Sequence, residues 1–253
     1  VALDGGWWIA SGRVFYHPQE VAAPVERAEA QAHFFLPRCF RDPFGQDTTV
    51  DYDGPAAPAA PRYDLLPTRT ADAAGNVTLA ENDYRVLQPR LLTDPNRNRA
   101  AAACDARGLV CGTPVMGKPA PDPAAGDSLA GFQPDPTPAQ LDAFFAAADP
   151  RPLAAPLLGS ATTRLLYDLD GWVRDGRPAC ATTLARETHV SDPLPPDGLK
   201  IQLRFSYSDG FGREVQKKLQ AEPGPVVEGG PDVAPRWVGS GWTIFNNKGK
   251  PVR

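Results

Sequence analysis

No stretch of the 253 residues approaches the roughly 18 consecutive apolar positions of a membrane-spanning helix. With 42% hydrophobic and 22% charged residues, the composition is that of a soluble globular chain, and direct membrane insertion is not expected. The 26 Lys and Arg are scattered and outnumbered by 30 Asp and Glu, which leaves a net charge of −4 and no basic stripe for a nucleic acid. Catalytic signatures are missing too. There is no G-x-S-x-G, P-loop or G-x-G-x-x-G, and Gly229-Gly230 and Gly239-Ser240-Gly241 precede no helix. The three histidines, His17, His33 and His189, share no ligand spacing. Asp51-Tyr52-Asp53-Gly54 begins like a calcium loop but lacks the further ligands and the closing Glu. Four cysteines (Cys39, Cys104, Cys111 and Cys180) show no C-x-x-C and read as buried free thiols. No signal-peptide pattern follows Val1, and Gly249 to Arg253 reads as a strand just setting out, so the chain is expected to be a piece of something longer. From the residues, then, no enzyme, cofactor or metal is expected.

What is abundant is proline and glycine. The 29 prolines and 23 glycines make about a fifth of the chain, against a usual share of about 12%. Proline is excluded from helix interiors and central ladders, so bundles, coiled coils and helical solenoids are ruled out and many short strands remain.

The glycines follow a pattern. Asp with Gly three places on occurs at Asp42/Gly45, Asp51/Gly54, Asp72/Gly75, Asp105/Gly108, Asp168/Gly171 and Asp209/Gly212. Asp94 (with Arg97) and Asn246/Gly249 are degenerate copies. A type I turn favours Asp first, where the carboxylate bonds backbone N–H groups, and Gly fourth. With that Gly left-handed, the unit becomes a hairpin loop closed by a bulge. The register predicts specific pairs: Tyr207 with Val215, Phe205 with Lys217, Leu203 with Leu219, Tyr167 with Val173, Thr70 with Thr78, Arg41 with Asp47, Ile244 with Val252, and Cys104 with Val110. The spacing between turns is irregular, which makes the repeat a strand–turn–strand unit carrying insertions. An acid–base couple of Asp168 and Asp170 is conceivable, but the turn pattern accounts for Asp168 more simply.

Three segments are expected: a β-rich part over 1–117, a proline-rich insertion over 118–160, and further hairpins over 161–253. Thr137-Pro138-Ala139-Gln140 has the form of a capping box, and predicts a short helix over about 137–148 with Leu141, Phe144, Phe145 and Ala148 on one face. The proline-rich flanks, Lys118 to Pro136 and Pro150 to Pro156, read as loops, as do Gly54 to Pro61 and Pro193 to Gly198. Trp7-Trp8 and the pair Trp237/Trp242 read as cross-strand packing in preference to sugar-stacking platforms.

Long motifs carry a family resemblance. Tyr84-Arg85-Val86-Leu87-Gln88-Pro89-Arg90-Leu91-Leu92-Thr93-Asp94-Pro95-Asn96 resembles the middle region of the insecticidal toxin complex (Tc toxin) B component. So do Phe34-Phe35-Leu36-Pro37-Arg38, Arg41-Asp42-Pro43-Phe44-Gly45, Phe205-Ser206-Tyr207-Ser208-Asp209-Gly210-Phe211-Gly212-Arg213-Glu214, and Pro235-Arg236-Trp237-Val238-Gly239-Ser240-Gly241-Trp242. The likeness weakens over Pro119 to Pro136, and Arg97 departs from the usual glycine.

The resemblance implies a mostly β fold of RHS/YD-repeat type, with successive antiparallel hairpins forming part of a large curved sheet or shell. One short helical segment would be inserted in it. It implies a secreted structural scaffold that helps enclose the toxic enzyme of the C component, with the pore-forming A component engaged by other parts of the full-length chain. The expected structural residues are the turn pairs Asp42 and Gly45, Asp72 and Gly75, Asp105 and Gly108, Asp168 and Gly171, and Asp209 and Gly212. The rival reading is a cell-surface adhesion or carbohydrate-binding β-module.

Overall fold

The computed structural model describes residues 2–3, 6–7, 9, 11–53 and 63–252. Trp8 and the whole of the Gly54 to Pro61 loop lie outside them. The described residues form mostly antiparallel sheet and divide into two compact units, Val1–Ala100 and Ala101–Arg253.

In the first unit, β1 (Ala2–Leu3) and β2 (Gly6–Trp7) form a small ribbon. The main sheet runs in sequence order through β3 (Arg13–Phe15), β4 (Cys39–Arg41), β5 (Asp47–Tyr52), β6 (Pro67–Ala71), β7 (Val77–Asp83) and β8 (Gln88–Thr93), with β9 (Arg99–Ala101) beside β8. Each strand pairs with its predecessor, so neighbours in the sheet are also neighbours in the chain. Helix α1 (Ala23–Ala32) sits between β3 and β4. The sequence pattern did not signal it, because its stripe is mostly alanine and only Ala30 is buried.

The second unit holds a seven-stranded sheet of order β10 (Ala103–Cys104), β11 (Val110–Thr113), β13 (Thr163–Asp168), β14 (Ala179–Arg186), β15 (Ile201–Ser208), β16 (Glu214–Ala221) and β19 (Arg236–Gly239). Strand β12 (Val115–Met116) follows β11 in the chain, and β17 (Gly224–Pro225) pairs with β18 (Asp232–Val233). Helices α2 (Pro138–Ala146) and α3 (Arg151–Leu158) lie between β12 and β13, and α4 (Gly171–Asp175) between β13 and β14.

Four helices, not one, are therefore present among the described residues. Helix α2 has the capping box written in its sequence: the Gln140 N–H donates to Thr137 Oγ1 at 3.3 Å and the Thr137 N–H to Gln140 Oε1 at 2.8 Å. Helix α3 occupies a stretch read as a proline loop. Pro152 falls in its first turn, where a missing N–H is harmless. Pro156 lies inside, at a cost of about 3 kcal/mol, which burial offsets: Ala154 and Leu158, one turn apart, are fully covered. The core of this unit joins Phe144, Ala154, Leu158 and Ala161 to Leu166, Cys180, Leu184, Leu203 and Phe205 on the sheet.

The expected registers hold at the turns. Arg41 pairs with Asp47, Thr70 with Thr78 and Cys104 with Val110, and the Val252 N–H bonds the Ile244 carbonyl at 2.8 Å. Two hairpins then slip by one. Beyond the Ser208–Glu214 pair a bulge leaves Val215 unpaired, so Tyr207 faces Gln216 and Phe205 faces Lys218, not Val215 and Lys217. Leu219 accordingly faces Arg204, not Leu203. A similar shift sets Ala103 opposite Gly112.

Asp168 and Gly171 are a correction. They do not close a hairpin: β13 pairs with β14, Tyr167 faces Ala181 rather than Val173, and Gly171 opens α4 without a left-handed φ. Consecutive right-handed residues after Asp start a helix as readily as a type I turn, so Asp-x-x-Gly alone does not separate the two. Here Gly176, at φ +70°, ends the helical excursion.

Packing accounts for Trp237, which meets Phe205 edge to face at 5.4 Å, but not for Trp7, 91% exposed. The four cysteines are free thiols; Cys104 is half-buried and the others are buried.

Candidate functional site

The turns share one local geometry. In the loops beginning at Asp42, Asp72, Asp105 and Asp209, the Asp N–H donates to the carbonyl four residues on (Gln46, Asn76, Leu109 and Arg213, 2.8–3.1 Å). The Gly N–H returns to the Asp carbonyl at 3.0–3.1 Å. Asp Oδ1 accepts from the N–H groups two and four residues on, at 2.8–3.1 Å. The closing glycines have φ between +75° and +85°. Asn246 reproduces the pattern with Gly249, and Asp94 closes the same loop although Arg97 must take φ +66°. Charge reinforces several tips. The Asn76 amide bond holds the Asp72 carboxyl below its ordinary range. At Asp105 burial pushes the pKa up, but bonds from Leu109 and Arg107 bring it below the usual value.

The turns are divided between the two units. Asp42 and Asp72 belong to the first unit, and Asp105 and Asp209 to the second. Asp51 lies inside β5, opposite Arg69. Asp168 ends β13 and accepts from Arg174 Nη2 at 2.8 Å. The histidines are tied into separate structural contacts. His17 bonds around Gln19, while His33 meets Asp64 at 2.9 Å and Glu29 at 3.3 Å. His189 donates from Nδ1 to Asp127 at 2.8 Å. Among the described residues no group of three or more His, Cys, Asp or Glu is arranged to hold a metal ion.

The arrangement has solved counterparts. The chain is similar to the crystal structure of TcdB2-TccC3, with a TM-score of 0.63 and 24% identity, over 87% of this chain and 10% of that one. The likeness extends to TcdB2-TccC3 without its hypervariable C-terminal region, with a TM-score of 0.63, 20% identity, and 87% and 12% of the two chains. No family model and no curated relative matches. The shared property is the fold, and this chain spans about a tenth of the length of the TcdB2-TccC3 chains it matches.

Within this TcdB2-TccC3-like fold, one concave place gathers ionisable groups. The helix-covered face of the sheet presents Leu166 and Asp168 from β13, Cys180, Thr182 and Leu184 from β14, and Leu203, Phe205 and Tyr207 from β15. At β16 that face turns polar, with Gln216 opposite Tyr207 and Lys218 opposite Phe205. Here Phe144, Phe145, Pro150, Arg177 and Trp237 complete the wall of a cavity of about 80 Å³. Lys218 Nζ stands 4.4 Å from the Trp237 ring centre and 5.4 Å from that of Phe205. Burial pushes the Lys218 pKa down, the Tyr207 pKa up, and the Cys180 thiol up to about 11. Sequence reasoning missed Lys218 because the bulge at Val215 moves it, and not Lys217, onto this face.

A second cluster is structural. The Asp127 carboxylate, with a side chain entirely buried, accepts from Thr162 Oγ1, from His189 Nδ1 at 2.8 Å and from the Val190 N–H at 2.8 Å, and lies 3.6 Å from Arg186 Nε. It binds the loop before α2 to the segment after β14. Its partners lie 35 to 63 residues away, with no local motif to announce them.

Proposed function

We propose that the chain is a structural segment of a Tc toxin B component, helping to form a hollow β-shell around the toxic C-component enzyme. It does so without catalytic chemistry of its own. The observation that carries this reading is the fold shared with TcdB2-TccC3 over 87% of the chain. The motifs quoted above point the same way, as does a sheet extended hairpin by hairpin. TcdB2 occurs together with TccC3 in those structures, so a C-type component is the partner proposed for this chain. The A component would be engaged elsewhere in the full-length protein, and the assembly would act outside the cell. No helix among the described residues is long and apolar enough to cross a membrane. Co-expression of the full-length protein with a C-type partner is expected to give closed hollow particles by negative-stain microscopy. Separate, open components, or hydrolytic activity residing in this segment, would overturn the reading.

One observation favours a second reading, the carbohydrate-binding module. Trp172 and Trp242, 71% and 54% exposed, line one cavity of about 530 Å³ with Leu169, Pro178 and Val215. Glycan-array binding lost in Trp172→Ala and Trp242→Ala would support it, and an unresponsive array would dismiss it.

A further inference from the structure

We infer that the cavity beside Lys218 is a binding site for a small carboxylate. Its lining holds donors that nothing in the described chain uses up. The neighbouring Lys217 pairs with Glu214 at 2.8 Å, whereas Lys218 forms no ion pair among the described residues and its ammonium is bracketed by the Trp237 and Phe205 rings at 4.4 and 5.4 Å. Ring faces attract a cation but supply no lone pair, and a partly buried ammonium is costly without acceptors for its three N–H groups. Tyr207 lines the same wall, and burial raises its pKa further, so it too offers a hydrogen and not charge, while the Cys180 thiol beside it is taken up by Thr182 Oγ1 at 3.8 Å. Arg177 adds a second cation at the rim, bonded to Asp175 at 2.5 Å. The one carboxylate in the lining, Asp168, is already committed to Arg174 Nη2 at 2.8 Å. A site with this balance favours a ligand that brings negative charge and acceptor oxygens.

Size narrows the class. About 80 Å³ holds several water-sized groups, enough for a carboxylate on a short chain. The aromatic wall of Phe144, Phe145, Phe205 and Trp237 suits the carbon tail. Two sources share this chemistry, a free small acid and the side chain of an acidic residue on a partner polypeptide. The inference does not depend on the shell reading, since it uses only side chains of this chain.

The test titrates the 253-residue chain with sodium acetate against sodium chloride at constant ionic strength, following the melting temperature and the NMR signals of the Trp237 indole and Tyr207 ring. Saturable acetate-dependent shifts are expected in both readouts, with chloride inert. Lys218→Met, which keeps an aliphatic stem between the rings, should abolish the response, and Lys218→Arg should retain at least part of it. Equal effects of acetate and chloride on the native chain would overturn the proposal, as would an undiminished response in Lys218→Met. Should Lys218→Met fail to fold, the native-chain NMR titration decides alone. A parallel arm compares N-acetyl-glutamate amide with its glutamine counterpart. Shifts with the glutamate compound assign the site to acidic side chains, and shifts with acetate alone assign it to free acids.

Discussion

Removing the Asp127 carboxylate tests most directly how the second unit is held together. Asp127→Ala leaves the Thr162 O–H without its acceptor, although the Thr162 oxygen keeps the Val115 N–H, and strands the Val190 N–H and one His189 nitrogen. It also leaves the nearly buried Arg186 guanidinium with only the carbonyls of Ala161 and Gly159. Each neutral bond is worth about 1 kcal/mol and each charged one about 1.5–3 kcal/mol. Removing one partner of a buried ion pair typically costs about 3–5 kcal/mol, and that is the range expected here. For a unit of this size that lowers the melting temperature by about 10 °C. The assay is thermal and urea denaturation, with hydrogen exchange at Val190 as the local reporter. Asp127→Asn keeps the shape and one acceptor and should lose less. Burial pushes the Asp127 pKa up, but the bonds from Thr162, His189 and Val190 and the Arg186 charge outweigh it, so the folded pKa lies below 3.8. A depressed carboxylate stabilises fully above its unfolded pKa, and that stability is lost as pH falls through the folded value. The native chain should therefore lose this contribution below about pH 4, whereas Asp127→Asn should show no such step. An Asp127→Ala protein melting within about 2 °C of the native chain would refute the reasoning.

Other expectations follow from single positions. A Cβ on Gly112 would meet Phe132 Cε1 and Cε2 at 2.7 and 2.9 Å and push the ring off Arg164, whose guanidinium stacks on it at 4.4 Å. Gly112→Ala should thus cost about 1–3 kcal/mol in urea denaturation. Arg97 holds a left-handed φ of +66°, so Arg97→Gly should stabilise its hairpin by up to about 1 kcal/mol, read as slower exchange of the Asn98 N–H. The opposite change at Gly75, φ +82°, should destabilise by about 1–2 kcal/mol. Thiolate is the reactive form of cysteine, and burial drives the Cys111 and Cys180 thiols up to about 11. Alkylation at pH 8 should therefore mark the half-buried Cys104 well before either, in a mass-spectrometric time course.

The turns were legible because their determinants sit within five residues. Asp or Asn supplies the acceptor and Gly the left-handed φ, and the loops at Asp42, Asp72, Asp105, Asp209 and Asn246 close as those identities dictate. The same shorthand misread Asp168, where the residues after it prefer a helical turn. Helix α3 was hidden because its evidence is tertiary: only the burial of Ala154 and Leu158 tolerates Pro156. The candidate site was invisible for a different reason. One unpaired residue, Val215, decides whether Lys217 or Lys218 faces Phe205 and Trp237, and bulges leave little trace in composition or alternation. Asp127 was passed over because its partners come from Thr162 and from the His189–Val190 segment, joined to it only by the fold.

The carboxylate at each tip has a kinetic consequence. The residues flanking an Asp loop meet whatever the rest of the sheet is doing, because the bonds that align them all fall within the loop itself. Each hairpin can therefore close on the timescale of an isolated one, about 1–10 μs, before any long connection such as that between β11 and β13 has been spanned. Assembly would then proceed by docking pre-aligned ribbons. A misplaced ribbon can detach and retry without its own strands losing alignment, which lets a long sheet be built without every strand being sorted at once.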